Sequence, residues 1–325
     1  MGIRLGTFSD PGGGHRFPGL VREDDVVVDL TDLAPTTRDL LAGWDAVLPR
    51  LDALATGDAP GRPLDTLTVC APVEPGQVLQ SGANYRTHVV DLAVAHRPAD
   101  DPRSEEQARA EIGAMMDRRA AEGTPYLFLG LPSAITGPYD DVVIPPWTQA
   151  FDWELELVAV IGRPASRVDA AEALDHVAAY TIANDLTARD LVFRRDMPEI
   201  GTDWFRAKNG PGFTPLGPWL VPARDVDATD LRVTLRLDGR AMQDESTKDM
   251  LFGVAALVAA ASQTTTLQPG DLVLTGSPAG NGMALGRLLR DGDVMHGTVT
   301  GPRGVDLGSQ RTRVVAATEE SGATR

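Results

Sequence analysis

The sequence predicts a β-rich α+β fold, and three observations carry that prediction. After Thr124 the chain holds a series of short strand-like runs: YLFLG, DVVIP, WELELVAVIG, AAYTIANDL, LRVTLRLDG, DLVLTG and VMHGTVTG. Helical patterns separate only some of them, so the regular strand–helix alternation of a parallel sheet is missing. Residues 1–74 read as a small α/β unit of their own, closed by Pro72 and Glu74-Pro75-Gly76.

In the leading unit, IRLGTFS and VVVDLTDL read as strands and the segment from Leu40 to Leu54 as a helix. A second domain, 75–318, opens with VLQSGANYRTHVVDLA, a strand, a turn and the start of a helix. The polar stretch from His96 to Thr124 has no strand character. Ser104 followed by Gln107 can form a capping box, and Ala108, Ile112, Met115 and Met116 then share one helical face. With ADDPRS and AAEGTP as breakers on either side, about 88–124 reads as a lid laid over the body. Further helices are expected at Ala170 to Ala178 and from Ser246, an N-cap with Asp249 at the third helical position. MLFGVAALVAAAS reads as a buried helix, and the turns QPGD and RDGD launch late strands. Residues 319–325 are expected to fray, and no solenoid repeat is present.

A net charge of −16 disfavours nucleic acid and anionic membranes, whose binding depends on basic contacts, and favours cations. No apolar run reaches the roughly 20 residues that span a bilayer, and MGIRLGTFSD lacks the pattern of a signal peptide. A cytoplasmic protein is expected. The one cysteine, Cys70, excludes an internal disulfide and a cysteine-rich zinc site.

Four constellations carry chemistry. In FDWELELVAVIG, strand alternation puts Asp152, Glu154 and Glu156 on one face, roughly 7 Å apart along the strand. Like charges that close repel unless water or a cation cancels them. A solvated face is the plain alternative, but the strand is otherwise strongly apolar, and Asp185 adds a further acid in a similar setting. Oxygen ligands without His or Cys suit Mg²⁺, Mn²⁺ or Ca²⁺. In NYRTHVVDL, His88 and Asp91 share a helical face. A carboxylate can orient an imidazole as a general base, although such pairs also occur by chance. Arg189 in TARD and the isolated Lys208 can meet an anion or a developing enolate; surface charge is the alternative for either. The small-residue turn of LVLTGSPAGNG, with Thr275 and Ser277, permits close backbone approach to a ligand and is neither a Walker loop nor a Rossmann fingerprint.

NYRTH, PYLFLGLPSAI, the D-x-E-x-E strand, NDLTARD, an isolated Lys before PLGPWL, and LQPGDLVLTGSPAG follow one another in that order. In this the chain resembles the fumarylacetoacetate hydrolase superfamily from about Val78 to Val315, in particular its acylpyruvate hydrolases and 2-oxohepta-3-ene-1,7-dioate hydratase-isomerase-like members. The resemblance implies a roll of mixed β-sheets, usually a homodimer. It implies a divalent metal, Mg²⁺ or Mn²⁺ with Ca²⁺ also possible, held by Glu154, Glu156 and Asp185. It implies 2-oxo acid or 1,3-dicarbonyl substrates, with His88, Asp91 and Lys208 in catalysis and Arg189, Ser277 and Tyr85 in substrate binding. Asp152 is expected to support by hydrogen bonding rather than to ligate. Hydrolysis of a C–C bond in an acylpyruvate, by His-activated water and a stabilised enolate, is the expected reaction. Decarboxylation of an oxaloacetate-type acid, oxo-dienoate hydration or isomerisation, and a metal-binding pseudoenzyme are the alternatives. Three positions depart from the family pattern. Asp91 stands where Glu is usual, Gly130 where FLKP has Lys, and Val192 near a usual Gln.

Overall fold

The computed structural model describes residues 2–95, 97–98 and 100–317. The tail expected to fray, 319–325, lies outside the described residues, as does the start of the polar stretch at His96. The chain is a mixed, sheet-rich α/β structure.

The leading segment forms a five-stranded sheet with Arg4–Ser9 and Phe17–Val21 near its centre. The predicted Leu40 to Leu54 helix is two helices, Thr37–Ala42 and Trp44–Thr56, hinged at Gly43. Paired backbone bonds between Leu5 and Leu220 stitch this sheet to the body.

The body holds two larger sheets. The first has six strands in the order Val221–Pro222, Val177–Asn184, Leu155–Ile161, Leu272–Leu274, Val78–Ser81, Leu127–Gly130. The second has five, in the order Arg240–Ser246, Arg232–Leu237, Val294–Thr300, Asp306–Ala316, Val142–Ile144. The strand Leu155–Ile161 is central and buried on both faces. Its odd positions, Leu155, Leu157 and Ala159, enter the core between the sheets. Its even positions divide. Val158 and Val160 pack with Val78 and Leu272 against Leu5, Leu20, Leu40 and Trp44 of the leading segment, whereas Glu156 turns toward the other acids. Burial on both faces excludes the solvated-face alternative, because water does not reach the carboxylate of Glu156.

Over the body lies a pair of helices, Arg86–Ala95 and Glu105–Glu122. The capping box forms as its two residues require: Ser104 Oγ accepts from Gln107 N and Gln107 Oε1 accepts from Ser104 N. Ala108 and Met116 are buried, but Met115 points outward and Gly113 takes an inner position. Among the described residues, a small apolar cluster of Val90, Val94 and Met116, with Val89 and Ile112 packed against it, joins the two helices. The remaining ties are exposed ion pairs, Arg86–Asp117 and Arg109–Asp91.

One expected helix is absent, and the buried apolar helix starts later than Ser246. Ala170 to Ala178 contains only a 3₁₀ turn, Ala173–His176, before its last residues join the strand Val177–Asn184. Ser246 caps a single 3₁₀ turn, Thr247–Asp249, and the apolar helix Val254–Thr264 starts after Gly253. The strands Arg240–Ser246 and Asp306–Ala316 had no counterpart in the sequence reading. Among the described residues, no helix is long and apolar enough to cross a membrane.

Candidate active site

Strand pairing brings the acids together. Leu155 lies opposite Asn184 in the antiparallel ladder. Glu154 and Asp185 therefore face each other where the ladder opens, and Asp185 N donates to Glu154 O at 2.8 Å. One oxygen from each of Glu154, Glu156 and Asp185 lies within 4.8 Å of the others.

Each of these carboxylates has one oxygen fastened to the framework. Asp185 Oδ1 accepts from Gln80 Nε2 at 2.6 Å. Glu154 Oε1 accepts from Arg189 Nη2 at 2.6 Å and Asn281 Nδ2 at 3.2 Å. Glu156 Oε2 accepts from Gly276 N at 2.7 Å. Of the other oxygens, Glu154 Oε2 and Asp185 Oδ2 meet at the ammonium of Lys208, which reaches Asp185 Oδ2 at 2.6 Å.

The small-residue turn is what secures the acidic strand. Gly276 N holds Glu156, and Asn281 holds Glu154. Gly282 N and Met283 N donate to the two oxygens of Asp152 at 2.7 and 3.0 Å. Two glycines are required here. Gly276 has φ +88°, and a Cβ on Gly282 would stand 2.6 Å from Asp152 Oδ1. Asn84 ties the turn down from below, donating to Thr275 O and Phe252 O and accepting from Phe252 N.

The electrostatics follow from burial and crowding. Burial alone would raise Glu154, but Arg189 and Lys208 outweigh it and hold the carboxyl down at about 2. Glu156 forms no ion pair among the described residues, and burial with the charges of Asp185 and Glu154 outweighs the relief from Lys208 and pushes it well above the usual carboxylate range. Asp185 is pushed up to about 6, burial winning over the relief that Lys208 gives. Four carboxylates, Asp152 included, face two cations, Arg189 and Lys208. With every acid ionised, two negative charges are left over in a place water barely enters.

A divalent cation fits this set. The donors are hard oxygens, three inward carboxylates share one small space, and the excess charge is two. The Gln80 Oε1 and Asn281 Oδ1 atoms are also buried without partners, two further neutral oxygens beside the acids.

The other sequence-predicted residues fall as follows. His88 is on the lid helix Arg86–Ala95. Burial lowers its pKa, Glu154 being the main opposing charge and Asp91 a lesser one. Asp91 was expected to orient His88. Its carboxylate instead accepts from Arg109 Nη1 at 2.6 Å, at the exposed seam between the lid helices, because Asp91 is one methylene shorter than Glu and a guanidinium is at hand. Lys208 places its donated hydrogen bonds on Glu154 Oε2, Asp185 Oδ2 and Asp185 O. Arg189 is committed to Asp152 and Glu154 rather than to an open cleft. Ser277 is buried with its hydroxyl accepting from Gln243 Nε2 at 2.8 Å. Tyr85 was expected to touch substrate, but it has 0% of its surface exposed, so it offers nothing to touch. Burial and the charge of Glu156 push its phenol upward.

Three residues escaped the sequence reading: Gln80, Gln243 and Asn281. Gln243 lies on a strand that was not anticipated and accepts from Leu155 N while donating to Ser277 and Pro278 O. Gln80 is a fully buried amide in an apolar strand, which is the signal that marks it. Asn281 sits between two glycines, where it reads as ordinary turn chemistry.

Comparison with known proteins gives a consistent picture. The family model described as fumarylacetoacetate hydrolase, C-terminal, matches residues 77–315. The mitochondrial oxaloacetate tautomerase FAHD2A of Bos taurus is 33% identical over 288 residues, covering 87% of this chain and 79% of its own. A 2,4-didehydro-3-deoxy-L-rhamnonate hydrolase from a Sphingomonas species is 32% identical over 308 residues, 93% of each chain. The crystal structure of a probable 2-hydroxyhepta-2,4-diene-1,7-dioate isomerase from Mycobacterium abscessus matches with a TM-score of 0.72 and 32% identity, over 98% of this chain and 100% of that one.

Proposed function

The chain belongs to the fumarylacetoacetate hydrolase superfamily, a family of enzymes, and from that premise we propose that it is a divalent-metal-dependent hydrolase of 2,4-dioxo acids. The observation that carries the reading is the triad: three carboxylates, each fastened by one oxygen, with the half-buried imidazole of His88 among their electrostatic neighbours. Glu154, Glu156 and Asp185 would hold the cation, Mg²⁺ or Mn²⁺. When bound, it supplies Lewis-acid polarisation of the 2-oxo carboxylate and counters the charge that builds there.

The residues divide the rest of the work. His88, kept neutral near pH 7 by its depressed pKa, accepts a proton from a water molecule. The water oxygen adds to carbon 4 of the substrate. The bond between carbons 3 and 4 then breaks, and its electron pair passes to carbon 3 as an enolate. The proton on His88 returns to carbon 3. The second proton of the water stays on the other fragment, so the products are a carboxylic acid, which ionises to solvent, and pyruvate or a substituted 2-oxo acid. Lys208 and Arg189 keep Glu154 ionised and the acids compact, and the paired lid helices keep bulk water from the reacting centre.

A second reading has one observation in its favour. His88 lacks the orienting carboxylate that water activation would favour, because Asp91 is taken by Arg109. An imidazole free of such a partner suits simple proton shuttling, as in keto–enol exchange of an oxaloacetate-like acid, and FAHD2A carries the name of that activity.

The test is turnover by metal-stripped protein with Mn²⁺ or Mg²⁺ returned. An acylpyruvate should be consumed with one pyruvate released per molecule, only when metal is present. Keto–enol exchange of oxaloacetate with no cleavage of the acylpyruvate would move the assignment to the second reading. Silence on both with metal bound would remove both. Homodimeric assembly and a cytoplasmic location are parts of the same proposal, and light scattering on the purified protein checks the first.

A further inference from the structure

Gln80 and Gly130 are neighbours across the edge of the six-stranded sheet, on the paired strands Val78–Ser81 and Leu127–Gly130. Gln80 is buried, and its side chain makes one hydrogen bond, from Nε2 to Asp185 Oδ1. Its carbonyl oxygen has no partner. The orientation of the amide is fixed by chemistry, since an ionised carboxylate only accepts and the amide oxygen would be repelled by it. A glutamine buried for the sake of the fold would have both ends satisfied. This one has a single partner, and that partner is an acid of the triad.

The room for Gln80 comes from Gly130. A Cβ at position 130 would stand 2.9 Å from Gln80 Oε1 and 3.0 Å from Gln80 Cδ, with Val78 Cγ1 also at 3.0 Å. Any side chain at 130 would therefore displace the carboxamide. The φ of Gly130 is not in the left-handed region, so space rather than backbone conformation demands glycine here.

We infer that Gln80 is a positioning residue that fixes the rotation of the Asp185 carboxylate for cation binding, and that position 130 is glycine to admit it. This rests on the reading of the triad as a cation site. Gln80 occupies Oδ1 and leaves Oδ2, the oxygen that Lys208 also reaches, as the one turned toward the other acids. A neutral donor suits the task. It orients the carboxylate without adding a positive charge that would compete with the cation.

The experiment is calorimetric titration of Mn²⁺ alone into metal-stripped protein, with thermal melts of each metal-free variant alongside. Gln80→Leu keeps the volume and removes the donor. Its Mn²⁺ dissociation constant should rise on the order of 10–100-fold, while the metal-free melting temperature shifts little, relief from the half-satisfied amide being offset by the donor lost to Asp185 Oδ1. Gly130→Ala should weaken Mn²⁺ in the wild-type background and add little in a Gln80→Ala background, where only the contact with Val78 is left. Wild-type protein that binds no Mn²⁺ would remove the triad reading itself. Wild-type binding with Gln80→Leu within twofold of it would overturn the role of Gln80 alone. A loss of melting temperature in Gln80→Leu with unchanged affinity would reassign Gln80 to the fold. A Gly130→Ala effect that persists without Gln80 would overturn the pairing of the two positions.

Discussion

Asp152→Asn tests how the acidic strand is held. The side chain is fully buried and its oxygens accept four hydrogen bonds. Oδ1 takes Trp153 N at 2.8 Å and Gly282 N at 2.7 Å; Oδ2 takes Arg189 Nε at 2.8 Å and Met283 N at 3.0 Å. Asparagine has nearly the same shape, so no cavity forms. Its NH₂ group must replace one of the two oxygens, and either choice turns it against two donors. Each buried group left unsatisfied costs roughly 1–3 kcal/mol. Breaking one side of a buried ion pair costs roughly 3–5 kcal/mol, reduced here because Arg189 keeps its bond to Glu154. Together these give an expected loss of about 4 kcal/mol. Urea unfolding of the metal-free protein, followed by tryptophan fluorescence, measures it as a lower midpoint at unchanged slope. A loss below about 1 kcal/mol, on the scale of an exposed ion pair, would refute the claim that Asp152 anchors the turn and Arg189 to the strand.

Three further outcomes are expected. Asp91→Asn should leave turnover within about twofold and stability within about 1 kcal/mol, since its pair with Arg109 is exposed, whereas His88→Ala should cost about 10²–10⁴-fold in kcat; equal losses in the two variants would restore Asp91 to the mechanism. Glu156→Gln removes the acid that forms no ion pair among the described residues, so the metal-free protein should melt higher while Mn²⁺ affinity falls by more than the roughly 10–100-fold that outer partners are worth; a lower melting temperature would contradict the crowding argument. For pH, Asp185 is raised from 3.8 to about 6 and Glu156 is raised as well, so the folded state holds more protons than the unfolded one above pH 4. Stability of the metal-free protein should therefore fall as pH rises from about 4 through 6; Glu154 opposes this only below pH 4.5, and His88, with its lowered pKa, opposes it up to 6.5, one group against two. Urea midpoints at pH 5 and pH 7, with and without Mn²⁺, check this, and a metal-free midpoint that climbs over that interval would count against it.

Much of the architecture was legible because it depends on local pattern. Alternation located the strand Leu155–Ile161, and a capping box located the start of the helix Glu105–Glu122. Alternation also put Glu154 and Glu156 on one side, since period two is fixed by the backbone. The proximity of Asp185 to them came from the family resemblance, because no short-range rule relates residues on separate strands. The same gap hid Gln80, which meets Asp185 across 105 positions. It hid Gln243 as well, whose strand lacks clean alternation. Partner choice was the least legible property. His88 and Asp91 share a helix, yet Arg109 from the next helix competes for the carboxylate. Arg189 and Lys208 read as hands extended to substrate, but in the folded chain they are bound to the acids. Local sequence states which groups a residue carries; the sum of neighbours around it decides what those groups do.

The divided face of the strand Leu155–Ile161 bears on modularity. Glu156 and Val158 are two residues apart, one in the acid cluster and the other against the leading sheet. The stretch that corresponds to the family model, 77–315, thus borrows its rear wall from residues that precede it. Trimmed to that stretch, the chain would present Val78, Val158, Val160 and Leu272 to solvent as one sticky plate, directly behind the acid cluster. A recombinant protein engineer who swaps or shortens the first seventy residues is therefore also adjusting the stiffness of the platform on which the chemistry stands.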